Sequence, residues 1–364
     1  MMTGESKSIA YDAVLIVSFG GPEGLGDVLP FLENVTRGKN VPHQRLIEVA
    51  ERYAMFDGVS PLNAEVRALI AALVDELNTH GPALPVYWGN RNWHPMLADA
   101  IEQMAQDGVR RALAFVMSPF GSYSSCRQYQ EDIELARQEV GPDAPHIDKL
   151  RLFYNHPGFI EATADRTIAA LEQISDEQQS LVQLLFTAHS IPLASAERSP
   201  YVRQLREACR LVMAEVRAKG EDKREKVEDE WSISWKGRKI LGELVFQSRS
   251  GPPSQAWLEP DIRDRVQELS DARNVTGLVI VPIGFLAENM EVVYDLDVET
   301  CGLCNSLGLS AIRADVVGRH PSFVRMIREL IGERVEFRTE RVAIGRDAAW
   351  PDECPGDCCM ANKQ

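Results

Sequence analysis

The sequence predicts an α/β protein built from two doubly wound halves, each a four-stranded parallel sheet flanked by helices. Three observations lead there. Short β-branched apolar runs alternate with longer amphipathic stretches along the whole chain. At 364 residues the chain is too long for one module of roughly 100–200 residues. The polar stretch 175–180 (SDEQQS) reads as a surface turn between two similar series of elements.

In the first half, strands are expected at 13–18 (AVLIVS), 84–88 (LPVYW), 112–117 (ALAFVM) and 150–153, with helices at 63–79, 95–107, 129–139 and 157–174. The second half repeats the rhythm with strands at 181–187 (LVQLLFT), 244–247, 278–283 (LVIVPI) and 310–313, and helices at 201–219 and 261–269. The domains are therefore set at 1–174 and 175–319, with a last helix in 320–336 that crosses back onto the first. The charged segment 219–239 reads as an inserted excursion with a solvated face. After Arg341 the chain turns to Gly, Asp, Pro and Cys, and the tail 341–364 is expected to carry no packed element beyond whatever its cysteines bind.

Composition narrows the function. With 45% hydrophobic and 26% charged residues the chain reads as an ordinary globular protein. Its 54 Asp+Glu against 39 Lys+Arg leave a formal charge of −15, which repels a phosphate backbone and argues against nucleic acid while favouring cations. The polar amino terminus MMTGESKSIAYD carries no secretory signal, and the apolar run 277–287 is shorter than the ~20 residues that span a bilayer. A cytoplasmic protein, monomeric or weakly oligomeric, is expected. Seven cysteines, an odd count, do not read as a disulfide framework.

In open α/β sheets ligands gather beyond the carboxyl ends of the strands, so those ends are the places to inspect. Four stand out: 18–22 (SFGGP), 118–125 (SPFGSYSS), 187–192 (TAHSIP) and 282–299 (PIGFLAENMEVVYDLDVE). None has the spacing of a phosphate loop. His189 follows a buried apolar run directly, where an imidazole can move protons near neutral pH or ligate a metal; a core histidine bonded to a backbone carbonyl is the plainer alternative. Glu291, Asp295 and Glu299, spaced by four, stack along one face of a helix. Like charges so stacked repel, so a solvated helix gains nothing from them, whereas a divalent cation would. Histidine nitrogen with carboxylate oxygen suits Fe²⁺ or Zn²⁺ better than Ca²⁺ or Mg²⁺. So thin a donor set suits transient delivery of the ion.

These segments resemble ferrochelatase, which inserts ferrous iron into a porphyrin in haem biosynthesis. The likeness runs through 18–38 (SFGGPEGLGDVLPFLENVTRG), 51–63 (ERYAMFDGVSPLN), 118–129 (SPFGSYSSCRQY), 184–192 (LLFTAHSIP), 246–262 (FQSRSGPPSQAWLEPDI) and 281–299 (VPIGFLAENMEVVYDLDVE), nearly the whole chain in the family's order. It implies the chelatase fold, two Rossmann-like domains with the porphyrin in the cleft between them and Fe²⁺ as the substrate metal. On the matching positions, His189 resembles the family's active-site histidine and Glu291 its opposing carboxylate. Asp295 and Glu299 continue an acidic helix that passes metal or protons, and Arg52, Tyr53, Ser60 and Tyr129 match positions that touch the porphyrin. Phe19 stands where relatives carry a tyrosine able to ligate iron, and Asn289 where many carry a histidine, so those two roles do not transfer.

The porphyrin implied is coproporphyrin III or protoporphyrin IX. The polar lip 35–46 (VTRGKNVPHQRL) is no membrane anchor and favours the more soluble coproporphyrin. A cobalt or nickel chelatase of the same fold and a haem-binding carrier are the competing readings; the segment 246–262 favours ferrochelatase. Some ferrochelatases hold a [2Fe–2S] cluster through three tail cysteines and one from inside the chain, and Cys354, Cys358 and Cys359 match the tail set. Ala162 stands near the expected inner position, leaving Cys126, Cys209, Cys301 and Cys304 as alternatives, and zinc on the same thiolates as the runner-up.

Overall fold

Ala13–Ser18 (β1) is buried at all six positions, as a strand covered on both faces must be. In the computed structural model, which describes residues 10–39, 41–174, 182–220, 231–235, 238–251, 254–272, 275, 277–356 and 358–360, β1 lies between Val86–Asn90 (β2) and Arg111–Val116 (β3). His146–Lys149 (β4) completes the first sheet beside β3, and all its pairings are parallel. The second sheet is built from Val182–His189 (β5), Ser232–Trp235 (β6), Arg238–Gln247 (β7), Gly277–Val281 (β8) and Ser310–Arg313 (β9), in the order β6-β7-β5-β8-β9.

The parallel strands β7-β5-β8-β9 repeat the order β2-β1-β3-β4, so the two halves share one winding. In each, the chain leaves the first-formed strand toward one neighbour and later returns on its other side. The crevice at such a switch point opens at the carboxyl ends of β1 and β3 in one half and of β5 and β8 in the other.

One apolar core joins the sheets. It contains Val14, Ile16 and Phe115 from the first, Phe186, Val279 and Val281 from the second, and a ring cluster of Phe153, Phe159 and Phe323 between them. Phe115 stacks on Phe153 at 5.1 Å. The helix Pro157–Leu171 packs against Tyr201–Lys219 and against the last helix, Pro321–Val335, which also covers Leu62–His80. Fully buried Arg151 makes two bonds to Glu333, at 2.7 and 2.8 Å, and a third to the Val342 carbonyl, tying that last helix to the end of the first sheet.

Four features differ from the sequence expectation. The fourth strand forms at His146–Lys149 and not at 150–153: those apolar residues are buried as expected, but the ladder with β3 closes at Lys149 opposite Ala114. Apolarity sets burial, whereas register with the neighbour sets pairing. The second sheet has five strands, because part of 219–239 is the hairpin strand β6, antiparallel to β7, which buries Ile233 and Trp235. Residues 221–230 of that insertion, and the turn expected at 175–180, lie outside the described residues.

Two unexpected helices, Leu25–Val35 and His43–Ala54, form a lip with its own small cluster of Val28, Phe31, Leu32 and Leu46. Pro30 interrupts the pattern of the first, and the second carries a narrow stripe of Leu46, Val49, Ala50 and Tyr53 in a largely polar sequence. Finally, the tail has no helix or strand among its described residues, yet it is strapped down. Ile344 N–H donates to the Asn155 carbonyl at 2.9 Å, Asn155 donates back to Asp347 O at 2.9 Å, and Tyr154 and Arg203 both reach the Asp347 carboxylate. Buried Tyr154 and Asn155 need these partners, and the tail supplies them.

Candidate active site

β5 is buried from Val182 to Ala188, and His189 is its first residue to open onto the crevice. Its ring is held at both nitrogens and its backbone is pinned on either side. Nδ1 lies 2.5 Å from the Ser190 carbonyl, so Nδ1 carries the hydrogen and Nε2 faces outward. Ser190 N–H donates to Gln247 O in β7 at 2.7 Å, and the Tyr201 hydroxyl donates to His189 O at 3.0 Å. Nε2 points at Glu291, 3.3 Å from Oε1.

Glu291 follows β8 by ten residues, on the short helical turn Met290–Val292. Asn289 caps that turn by accepting the Val292 N–H at 3.0 Å, and Gln247 donates to the Glu291 carbonyl at 2.6 Å, fastening it to the end of β7. Burial works against a charged imidazole at His189. The Glu291 carboxylate outweighs it by charge and hydrogen bond, helped by the Ser190 carbonyl, and holds the pKa up at about 9.

The carboxylates that follow lie on a π-helical stretch, Val293–Thr300, and not on the α-helix assumed from their spacing. Thr300 Oγ1 accordingly bonds the Asp295 carbonyl five residues back, at 2.7 Å. Asp295 is largely buried, accepts a hydrogen bond from Ser248 and lies 3.9 Å from Arg52 Nη1. Burial and the neighbouring Glu291 and Glu299 charges raise its carboxyl to about 6, against the pull of Ser248 and Arg52. Glu299, at the outer end, pairs with Arg263 at 3.3 Å. With that guanidinium half exposed, the pair is worth about 0–1 kcal/mol, little obstacle to a divalent cation.

The lip forms the opposite wall. Arg52, from helix His43–Ala54, reaches over to Asp295 and lies 4.8 Å above the Tyr294 ring, so residues of both halves meet here. Tyr53 is close enough to Glu291 and Asp295 that their charges, added to burial, raise its phenol well above the ordinary value. Its ring abuts Phe31, which abuts Phe19, and Phe19 leaves part of its face open. Ser60 and Tyr129 are buried. Ser60 lies under the Phe19–Gly21 turn, where a Cβ on Gly21 would come within 2.6 Å of it. Tyr129 lies under the Arg91 guanidinium at 4.5 Å.

Several residues of the site escaped the sequence reading. Arg91, almost wholly buried, bonds Asp132 at 2.5 Å and covers both Tyr129 and Phe19. It is the first residue after β2, and carrying the strand to Asn90 would have marked it as a rim residue. Gln247 ends β7, and Ser248 holds the same position just after it. Arg263 had no signal beyond its charge.

The tail cysteines come to rest beside the first half. The Trp350 indole donates to Cys354 Sγ at 3.3 Å, and the sulfurs of Cys358 and Cys359 are 3.5 Å apart. The Cys126 and Cys354 thiols are neighbours, which lowers the Cys354 thiol to about 5 in spite of burial and raises that of Cys126. Among the described residues no three His, Cys, Asp or Glu side chains converge as the ligands of one ion would.

A family model for ferrochelatase matches residues 11–335. A ferrochelatase of Rhodopirellula baltica is 49% identical over 350 residues, covering 96% of this chain and 93% of its own. A coproporphyrin III ferrochelatase of Frankia alni is 47% identical over 370 residues, covering 100% and 90%, and one of Nocardia farcinica is 46% identical, covering 98% of each. Among solved structures, SirB from Bacillus subtilis with Fe³⁺ superposes with a TM-score of 0.50 at 12% identity, over 89% of this chain and 95% of that one, a likeness of fold.

Proposed function

The chain belongs to the ferrochelatase family and is a metal chelatase that inserts ferrous iron into a porphyrin in haem synthesis; from that premise we propose that His189 takes the pyrrole protons and that Glu291, Asp295 and Glu299 bring in the iron. The observation that carries this reading is the 3.3 Å approach of His189 Nε2 to Glu291 at neighbouring strand ends.

Metallation exchanges the two pyrrole protons of the ring for one Fe²⁺, with no change of oxidation state. A proton acceptor and a cation path are what the cleft must supply. At rest His189 is an imidazolium paired with Glu291. Fe²⁺ arriving at Glu291 replaces the imidazolium as counter-ion and, being a like charge, pushes the imidazole pKa down. His189 then releases its proton to the open side of the cleft, and Nε2, fixed outward by the Ser190 carbonyl, accepts the pyrrole protons in turn. Asp295, titrating near 6, exchanges protons close to neutrality and hands the cation on from Glu299. Phe19, Arg52 and Tyr53 bound the porphyrin, while Ser60, Tyr129 and Arg91 brace the wall behind it.

Coproporphyrin III is the substrate proposed for this chain. The Frankia and Nocardia relatives are named for it, and the lip that bounds the cleft is polar at 35–46. The proposal places the reaction in the cytoplasm, in a monomer or weak oligomer; one chain supplies both walls of the cleft. Among the described residues no helix is long and apolar enough to cross a membrane.

The tail cysteines Cys354, Cys358 and Cys359 would hold a [2Fe–2S] cluster; neighbouring sulfur donors with an indole N–H on one of them fit such a group. Bound there, it supplies metal–thiolate cross-links, and no step of the insertion runs through it.

The test replaces the base. His189→Ala should lose at least the 10²–10⁴-fold that general-base catalysis typically contributes, while fluorescence quenching still reports porphyrin binding. Near-normal iron insertion by His189→Ala would overturn the assignment. Initial rates on both porphyrins should favour coproporphyrin III.

A further inference from the structure

Two stretches of chain far apart in sequence bring four thiols together. Cys126 closes the π-helical turn Tyr123–Arg127 at the end of β3 and is buried. Its thiol neighbours that of Cys354. The adjoining Arg127 holds the tail loop by donating to Gly356 O at 2.7 Å and to Cys358 O at 3.2 Å. Cys359, also buried, adopts φ +55° and keeps its sulfur beside that of Cys358. We propose that Cys126 is the fourth thiolate of an iron–sulfur cluster whose other ligands are Cys354, Cys358 and Cys359.

This rests on the reading of the tail as a [2Fe–2S] site and supplies the ligand that reading lacks. A dinuclear cluster takes two thiolates on each of its irons. The thiols follow one another as neighbours, Cys126 beside Cys354, Cys354 beside Cys358 and Cys358 beside Cys359, four in one group. Four thiolates with two irons and two sulfides carry net negative charge. Lys149 lies near Cys126 and Cys354, and Arg127 near Cys359, while Trp350 donates directly to a sulfur. The remaining cysteines are engaged elsewhere: Cys301 and Cys304 belong to the core beneath the second sheet, with Leu296 and Leu309, and Cys209 is fully buried in helix Tyr201–Lys219. Because Cys126 lies between Tyr123 and Tyr129, the cluster would fasten the tail directly to the segment that walls the porphyrin cleft.

The full chain, purified without oxygen, should carry about two irons and two sulfides and give the visible absorption and reduced-state EPR signal of a [2Fe–2S] centre. Cys126→Ser should lose both signatures as completely as Cys354→Ser, and Cys209→Ser should keep them. If Cys126→Ser does not fold, the wild type is stripped with ferricyanide and a chelator and its disulfides are mapped. A bond from Cys126 to a tail cysteine is expected, and tail cysteines joined only to one another would count against the proposal. A complete cluster in Cys126→Ser overturns the fourth-ligand assignment and leaves the tail reading standing. A wild type with zinc, or with neither iron nor sulfide, overturns both.

Discussion

His189 and Glu291 face each other at 3.3 Å, the imidazole at the end of β5 and the carboxylate on the helical turn that follows the adjacent strand β8. The imidazole is charged up to about pH 9 in the metal-free protein because Glu291 is there. Glu291→Gln removes the chief support of that charge and leaves burial, which opposes it. The His189 pKa should therefore fall by more than one unit in an NMR titration; an unchanged value would refute the pairing.

The same pair ties stability to pH. A histidine pKa raised from 6.5 to about 9 contributes stability that is whole below 6.5 and lost as pH rises through 9. Wild type should melt above Glu291→Gln at pH 6–7, and the two should converge near pH 10.

Asp295 has the opposite sign. A carboxyl raised from 3.8 to about 6 weakens the fold above pH 6 and stops doing so below about 4. Asp295→Asn should stabilise the metal-free protein at pH 7.5 by roughly 1–3 kcal/mol, with no gain at pH 3.5, measured in urea. It should also raise KM for iron. Loss of stability at pH 7.5 would contradict the burial argument.

Arg151 and Glu333 form a fully buried ion pair. Glu333→Ala leaves a guanidinium uncompensated in the core and should cost about 3–5 kcal/mol in urea unfolding, whereas Arg151→Met with Glu333→Leu should recover most of that loss. A double variant as unstable as the single one would show that the pair does more than neutralise itself.

Much of this was legible in the sequence because burial writes itself plainly into parallel strands. AVLIVS and LVQLLFT marked β1 and β5, and the rule that ligands gather at strand ends then pointed to His189. The carboxylate ladder was visible as spacing, but not its π-helical course, which depends on how the chain leaves β8. Arg91 was missed because β2 was ended two residues early. Helix His43–Ala54, which carries Arg52 and Tyr53, has a narrow stripe of Leu46, Val49, Ala50 and Tyr53 among polar residues that the reading passed over. Cys126 looked solitary because its partners stand at the other end of the chain. β6 was masked by the charges around it, although Ile233 and Trp235 alternate as strand residues do.

The lip that bears Arg52 and Tyr53 closes on four buried side chains of its own, separate from the core that joins the sheets. So small a cluster comes apart at a free energy well below that of the whole fold. Amide hydrogens of Leu25–Val35 and His43–Ala54 should exchange with deuterium long before those of β1 and β5; equal protection would rule this out. A lip that opened on its own would leave both sheets standing, so Arg52 and Tyr53 could part from the acidic stretch without disturbing the base of the crevice.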